Sequence, residues 1–284
     1  MKKYEILLVG LGSIGKNLAK SLIDKGYNIN IWDKDQKKTF ALCKDLRIDY
    51  IQNIFQFIKK KNTIIILAIP AGLAVDNFIQ NNTKYFKNNS YIIDIGNSHP
   101  KDTINRFNHL KRNKIKYISC GFSGGVYGAR TNASLMVSCN AREFNFLKKL
   151  FLDIIGKNNK KFIKRIGSDP SSGNYTKIIH NGIEYGIMQA IADYYFAMKE
   201  VFKLNNDEMI KEFSKLQKII GNSFLLKITK DIIKESKFKK NLISNILDVV
   251  DDNNTGAWAV SLAADCKFPI PAISSSVEAR FISR

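Results

Sequence analysis

The sequence predicts an α/β fold in which a doubly wound sheet is followed by an all-helical second domain, and three observations carry this. Short apolar runs alternate with helix-like segments through the first 120 residues, the signature of a parallel sheet covered by helices. A glycine-rich turn sits between the first apolar run and the first helical pattern. From about residue 172 onward, long helical patterns replace the strand signals.

Taken in order, residues 4–9 form the first apolar run, a glycine-rich turn follows, and Leu18, Leu22 and Ile23 carry helical spacing within Asn17–Lys25. After Gly26, Ile29-Asn-Ile-Trp32 reads as a second strand, which closes a βαβ unit of roughly thirty residues. Further strands are expected at Thr63–Ile69, Ser90–Ile95 and Tyr117–Cys120, all in a parallel sheet. Ile166-Gly-Ser-Asp-Pro-Ser-Ser-Gly173 reads as a turn-rich connection into a helix. The boundary is therefore set between residues 171 and 172, giving a doubly wound α/β domain over 1–171 and a helical domain over 172–284. Lys/Asn-rich patches near 157–161 are expected to be exposed loops.

The 284 residues, 45% hydrophobic and 25% charged, are enough to bury a sizeable core and exclude global disorder. The longest apolar runs, such as Ile64–Pro70, fall far short of the roughly 20 residues needed to span a bilayer. With no signal-peptide pattern, a cytoplasmic protein without membrane association is expected. Cys43, Cys120, Cys139 and Cys266 are scattered without C-x-x-C spacing, so free thiols are expected. Only His99, His109 and His180 are present, and no metal site is expected. The 45 Lys and Arg against 25 Asp and Glu give a net charge of +20, a field that attracts anionic ligands. Because the lysines are dispersed and no aromatic-and-basic recognition motif accompanies them, a solvated surface is preferred over nucleic-acid binding.

Gly10-Leu11-Gly12-Ser13-Ile14-Gly15 follows a strand and opens a helix. In that context G-x-G-x-x-G lets the backbone approach a pyrophosphate at a helix N-terminus, so the first domain is read as Rossmann-type. Asp33 ends the second strand about twenty residues later, where a carboxylate accepts from adenosine ribose hydroxyls and repels a 2′-phosphate. NAD is therefore favoured over NADP, although Lys34, Lys37 and Lys38 offer cations that could neutralise such a phosphate.

Within Tyr175–Tyr185, Lys177, Asn181 and Glu184 stand at i, i+4 and i+7 with His180 and Tyr185 flanking them, so all five should project from one helix face. Lys and Glu alone would describe a solvated charge stripe; His, Asn and Tyr added to them make a site the better reading. Asp94-Ile-Gly-Asn-Ser98 and Gly121-Phe-Ser-Gly-Gly125 each follow a predicted strand. Either could be a plain turn, but both fall where a doubly wound sheet opens onto its ligand.

The ordered set G-L-G-S-I-G, A-G-L-A-V-D (Ala71–Asp76), I-I-D-I-G-N-S (Ile92–Ser98), S-G-G-V-Y-G-A-R (Ser123–Arg130), K-I-I-H-N-G-I-E-Y-G (Lys177–Gly186) and E-A-R-F (Glu278–Phe281) resembles the 6-phosphogluconate dehydrogenase family from end to end. The resemblance implies Lys177 as general base and Glu184 as general acid. It implies that Asn97, His180 and Asn181 hold the substrate hydroxyls, that Ser123, Gly124 and Gly125 receive the carboxylate, and that Tyr185 and Arg280 contact the phosphate. The glycines at 10, 12 and 15 would hold the dinucleotide, on the 10–15 turn with Asp33 and Lys34 read above and with Asn97, which makes 1–171 the dinucleotide-binding domain and 172–284 the substrate and dimerisation domain. The length and the ending A-R-F-I-S-R resemble the family's short form, and the family suggests a homodimer acting on an anionic sugar acid in the pentose phosphate pathway. The chemistry fits those roles: a neutral Lys177 takes the hydroxyl proton as hydride leaves C3, and the keto acid so formed loses carbon dioxide into its own carbonyl.

Two positions depart from the family pattern. No Lys or Arg lies in Asp251–Trp258, and Pro70 stands where Lys is frequent in the long form. The first departure removes a charge-assisted partner for a phosphate dianion. An enzyme of the same fold acting on another, unphosphorylated 3-hydroxy acid is therefore the alternative, followed by a non-catalytic dinucleotide-binding protein.

Overall fold

The computed structural model describes residues 4–60, 62–131, 133–156, 162–221, 223–236, 238, 242–247, 249–250 and 254–283; the Lys/Asn-rich stretch at 157–161 and residues 251–253 lie outside them. The chain divides into two compact units, residues 1–177 and 178–284. The division falls inside a helix, whereas the sequence placed it before that helix.

Unit one begins β1 (Glu5–Val9), α1 (Ser13–Asp24), β2 (Ile29–Trp32), α2 (Gln36–Leu46), α3 (Ile54–Lys60) and β3 (Thr63–Leu67). It continues α4 (Leu73–Asn82), β4 (Tyr91–Asp94), α5 (Pro100–Arg112), β5 (Lys116–Ser123), α6 (Gly125–Thr131), β6 (Ser134–Ser138), α7 (Ala141–Ile155) and β7 (Ile163–Gly167). The seven strands lie in the order β2-β1-β3-β4-β5-β6-β7. Every neighbouring pair is parallel except β5 and β6, which run antiparallel with Cys120 opposite Val137.

Two expectations are corrected here. The sheet is not wholly parallel, because the short α6 connection returns the chain beside β5 in the opposite direction. Ile166 and Gly167 belong to β7 rather than to a connecting loop; the turn is confined to residues 168–171.

The period-two alternation of a strand sorts its side chains to two faces. Ile6, Leu8, Ile64, Ile66 and Ile93 join one core with Leu18 and Leu22 of α1 and Leu147, Leu150 and Phe151 of α7. Leu7, Val9, Ile65, Leu67 and Ile92 join the other with Ile54 and Ile58 of α3, Val75, Phe78 and Ile79 of α4, and Leu110 of α5. Burial on both faces is why these strands read as continuous apolar runs. The strand order reverses direction at β1, between β2 and β3, and such a switch point opens a crevice beyond the carboxyl ends of the strands.

The long α8 (Ser172–Phe196) runs from unit one into unit two and ends in a π turn at Ala197–Val201. Unit two continues with α9 (Asn206–Ile220), α10 (Phe224–Glu235), α11 (Thr255–Asp265) and α12 (Pro271–Ile282). Its own core is small, with Met198, Met209, Phe213, Leu226 and Ile233 buried together. Asn205 starts α9 with a full capping box, its side chain accepting from Glu208 N while the Glu208 carboxylate accepts from Asn205 N. Among the described residues no helix is long and apolar enough to cross a membrane, and Cys43, Cys120, Cys139 and Cys266 are free thiols.

Candidate active site

The turn from β1 into α1 is shaped by what its glycines exclude. Gly10 has φ +96, and a Cβ there would stand 2.5 Å from the Ala68 carbonyl oxygen; one on Gly15 would stand 1.8 Å from Gly10 O. These two positions let α1 pack down on the end of the sheet. Gly12 differs: a Cβ there meets nothing within 4 Å, so its backbone faces open space. Gly12 is also the N-cap of α1, has no side chain to cap the helix, and is followed by a first turn without acidic residues. Ser13, Ile14 and Gly15 form that turn, and uncapped amides at a helix N-terminus suit an anion. Gly10 and Gly12 line a cleft of about 1530 Å³ with Asp33, Lys34, Lys38, Tyr50, Ile69 and Asn77 among its walls. The cradle, the open glycine and the cleft fit a dinucleotide.

The Asp33 carboxylate is already in use. Its Oδ2 accepts from Leu11 N at 2.7 Å and its Oδ1 from Asp35 N at 3.0 Å. The residue thus braces the glycine turn, and any ribose contact shares oxygens that backbone amides already engage. Lys34 and Lys38 reach the same cleft.

At the ends of β4 and β5, Asn97 takes the left-handed conformation, φ 56. Its Nδ2 donates to Phe122 O at 3.1 Å and its Oδ1 accepts from Phe122 N at 2.8 Å. The side chain expected on the substrate hydroxyls and the cofactor therefore ties one strand end to the other, in the manner of a strand pair. Ser123 closes β5, and Gly124 and Gly125 follow with φ 140 and 57, an exposed backbone turn at the opening of α6.

Behind Asn97 lies a buried ionic network that the sequence did not announce. Arg106 is 4% exposed; its Nε donates to Asp76 Oδ1 at 2.6 Å, its Nη1 to Ser98 Oγ at 2.8 Å and its Nη2 to Gly72 O at 3.0 Å. Asp94 Oδ2 accepts from Ser98 Oγ and Tyr117 OH, each at 2.7 Å, and Oδ1 from Gly96 N at 2.8 Å. Burial works against the charged Arg106, yet the hydrogen bond to Asp76 and the nearby Tyr117 and Asp94 raise its pKa above the ordinary value. Burial and Asp94 push the Tyr117 phenol well up, which keeps it a donor.

Lys177 is the last residue of unit one and is 6% exposed. A Cβ on Gly121 of β5 would stand 2.7 Å from the Lys177 Cβ and 2.6 Å from Gly173 O; the bare glycine lets α8 lie directly on β5. Further along α8, within unit two, Asn181 and Tyr185 are buried, while the His180 and Glu184 side chains are 39% and 40% exposed with His180 Nε2 3.8 Å from Glu184 Oε2. The five expected residues share one side of the helix, but three are buried and two are at its margin.

The other side reverses the usual amphipathic pattern. Ile179, Ile183 and Ile187 are 51%, 51% and 44% exposed, so this stripe turns apolar side chains outward, although Ile178 beside it is buried.

Asn181 Nδ2 donates to Thr255 Oγ1 at 2.7 Å, and its Oδ1 is a buried acceptor without a hydrogen-bond partner among the described residues. Such an atom costs about 1–3 kcal/mol unless something donates to it, which suits a ligand hydroxyl. The Arg280 guanidinium stacks 3.9 Å from the centre of the Tyr185 ring. Gly256 makes room for that ring, since a Cβ there would stand 2.5 Å from Tyr185 Cε2. Neither Thr255 nor Gly256 carries a site signal in the sequence, where the stretch Asp251–Trp258 that holds them stands out only for lacking Lys and Arg.

Comparison with known proteins gives a consistent result. Residues 5–165 match the NAD binding domain of 6-phosphogluconate dehydrogenase and residues 173–284 match its C-terminal domain. The decarboxylating 6-phosphogluconate dehydrogenase of Buchnera aphidicola subsp. Acyrthosiphon pisum is 36% identical over 294 residues, covering 100% of this chain and 62% of that protein. The NADP(+)-dependent decarboxylating enzyme of Bacillus subtilis is 34% identical over 291 residues, with the same coverage of 100% and 62%. Plasmodium falciparum 6-phosphogluconate dehydrogenase, solved in its apo form, with NADP+ and with 6-phosphogluconate, superposes with a TM-score of 0.89 at 32% identity, covering 98% of this chain and 62% of that one. Mycobacterium tuberculosis 3-hydroxyisobutyrate dehydrogenase shares the fold at 17% identity, with a TM-score of 0.78 over 99% of this chain and 92% of that one. The chain thus spans about three fifths, 62%, of the length of these curated relatives.

Proposed function

Since the chain belongs to the 6-phosphogluconate dehydrogenase family, we propose that it oxidises and decarboxylates 6-phosphogluconate to ribulose 5-phosphate with a nicotinamide dinucleotide, the reaction of the pentose phosphate pathway. The observation that carries the proposal is α8, where Lys177, Asn181 and Tyr185 are turned into the fold and Glu184 stands beside them on the same side.

Residues 1–171 hold the dinucleotide on Gly10, Leu11, Gly12, Ser13, Ile14 and Gly15 and contribute Asn97 and residues 123–125 to the substrate, while residues 172–284 supply the remaining substrate contacts and the surface for a second copy of the chain. The dinucleotide, when bound, supplies the acceptor for the C3 hydride. The Lys177 amine takes the proton of the C3 hydroxyl and then, as an ammonium, hydrogen-bonds the C3 carbonyl. That polarisation draws the electron pair of the breaking C1–C2 bond into an enediol as carbon dioxide leaves. Glu184 protonates the former C2, which becomes C1 of the product. Ser123, Gly124 and Gly125 receive the carboxylate, Asn97, His180 and Asn181 the hydroxyls, and Tyr185 with Arg280 the phosphate. Glu184→Gln is expected to lower kcat about a hundredfold with little change in KM, because the acid acts after binding; steady-state rates with wild-type turnover would remove it from this role.

NAD is favoured over NADP because Asp33 sets a negative charge beside the glycine turn. Its engagement with Leu11 N and the lysines at 34 and 38 oppose that preference. The proposed reaction places the chain in the cytoplasm, and it acts as a homodimer, since the outward Ile179, Ile183 and Ile187 form an apolar stripe that a second copy would cover; a sedimentation mass of one chain would contradict the dimer. Absorbance of the reduced nicotinamide, followed with 6-phosphogluconate and with gluconate, each against NAD and NADP, tests the whole reading. The expected result is a rate with 6-phosphogluconate and NAD. A clear preference for NADP would show that the lysines govern the adenosine pocket, and a preference for gluconate would show that a sequence without Lys or Arg at Asp251–Trp258 sets the substrate.

A further inference from the structure

One buried amide joins the three segments that carry the expected chemistry of unit one. Asn174 lies in the first turn of α8, one turn before Lys177, and is 2% exposed. Its Nδ2 donates to the Ser98 carbonyl oxygen at 2.9 Å, next to Asn97. Its Oδ1 accepts from Ser119 Oγ of β5 at 2.6 Å, and that hydroxyl also lies 2.5 Å from Pro170 O and 3.0 Å from Ser138 Oγ. Ser138 Oγ in turn accepts from Gly173 N at 2.7 Å.

Each end of this clamp is itself fixed. Ser98 hangs on Asp94 and Arg106 through its own hydroxyl, and Asn97 is held to the Phe122 backbone. Gly173 and Gly121 bring the helix into contact with β5 and β6, where a Cβ on Gly173 would stand 2.1 Å from Met136 O. A buried amide costs free energy unless both of its ends are satisfied, and an apolar side chain of similar volume would fill this space without needing partners. The amide differs from such a side chain in setting direction: it fixes the height and rotation of the first turn of α8 against the turn holding Asn97. Lys177 inherits that placement three residues later.

We propose that Asn174 is a positioning residue that sets Lys177 in register with Asn97 and β5. This rests on the reading of Lys177 as the base. Displacing a reacting group by about 1 Å costs on the order of a hundredfold in rate without changing what is bound.

The test compares wild type with Asn174→Ala and Ser119→Ala, the second removing only one end of the clamp. Two readouts are taken: the deuterium isotope effect on kcat with 6-phosphogluconate labelled at C3, and the rate of competitive acetylation of Lys177 relative to the surface lysines, read by mass spectrometry. Asn174→Ala is expected to lower kcat ~30-fold, to raise the isotope effect as hydride transfer becomes limiting, and to change Lys177 acetylation several-fold, with dinucleotide affinity within about twofold. Ser119→Ala should move the same quantities less.

A folded Asn174→Ala protein with wild-type isotope effect and wild-type Lys177 acetylation overturns the proposal. So does a fall in kcat that only follows the folded fraction. If Asn174→Ala does not fold, Ser119→Ala decides by the same two readouts. Absence of turnover in the wild type would contradict the proposed function, and the acetylation comparison alone would then decide the positioning of Lys177.

Discussion

Lys177→Met is expected to lower turnover about a thousandfold while dinucleotide binding persists. Methionine matches the length and apolar stem of lysine, so the contact of α8 with β5 at Gly121 is kept and only the amine is lost. The glycine turn belongs to β1 and α1, on other elements, and has no reason to change. Lys177→Arg should be equally inactive, because a guanidinium stays protonated and cannot accept the hydroxyl proton. Single-turnover absorbance with saturating substrate measures both variants, and titration of protein fluorescence measures the dinucleotide. Near-normal rates in either variant would show that the base lies elsewhere.

Gly15→Val is expected to remove dinucleotide binding and to lower the unfolding midpoint of the protein. Any Cβ at position 15 stands 1.8 Å from the Gly10 carbonyl oxygen, and backbone cannot swing away as a flexible side chain does. Helix propensity pulls in the opposite direction, since glycine is about 1 kcal/mol worse than alanine in a helix and valine is worse by only a few tenths. The overlap wins, because forcing extra atoms into a packed contact costs typically 1–3 kcal/mol and shifts backbone. Gly12→Ala separates the two effects: its Cβ meets nothing within 4 Å, so the melting temperature should hold while dinucleotide affinity falls about tenfold or more through loss of close approach. Thermal denaturation and calorimetric titration of both variants check this, and a Gly15→Val protein that melts and binds as wild type would contradict the packing account.

The first βαβ unit was legible because its strands are buried on both faces and its turn uses glycines for steric reasons that survive in one dimension. β2 was read to the residue as Ile29–Trp32. β7 was not, because its Lys164 and Arg165 sit in an edge strand and charged edge strands lack the apolar run that marks a central one. The stripe on α8 was recognised from spacing, but its direction was not the usual one: Ile179, Ile183 and Ile187 face outward, and periodicity alone assigns apolar residues to the core. Asp33 and Asn97 were placed correctly at strand ends, yet both spend their side chains on backbone groups, as turn-forming residues do. Asp94, Arg106 and Asn174 are distant in sequence and individually resemble turn or surface residues. Only the convergence of strand ends brings them together.

The central claim is that oxidation and decarboxylation are one sequence run by Lys177 and Glu184. The direct measurement is carbon dioxide released from 6-phosphogluconate labelled with carbon-13 at C1, set against reduced dinucleotide formed in the same sample. The account predicts one labelled carbon dioxide for each reduced dinucleotide, with ribulose 5-phosphate as the other product. Reduced dinucleotide without labelled carbon dioxide, or no reduction with this substrate under any cofactor, would contradict it.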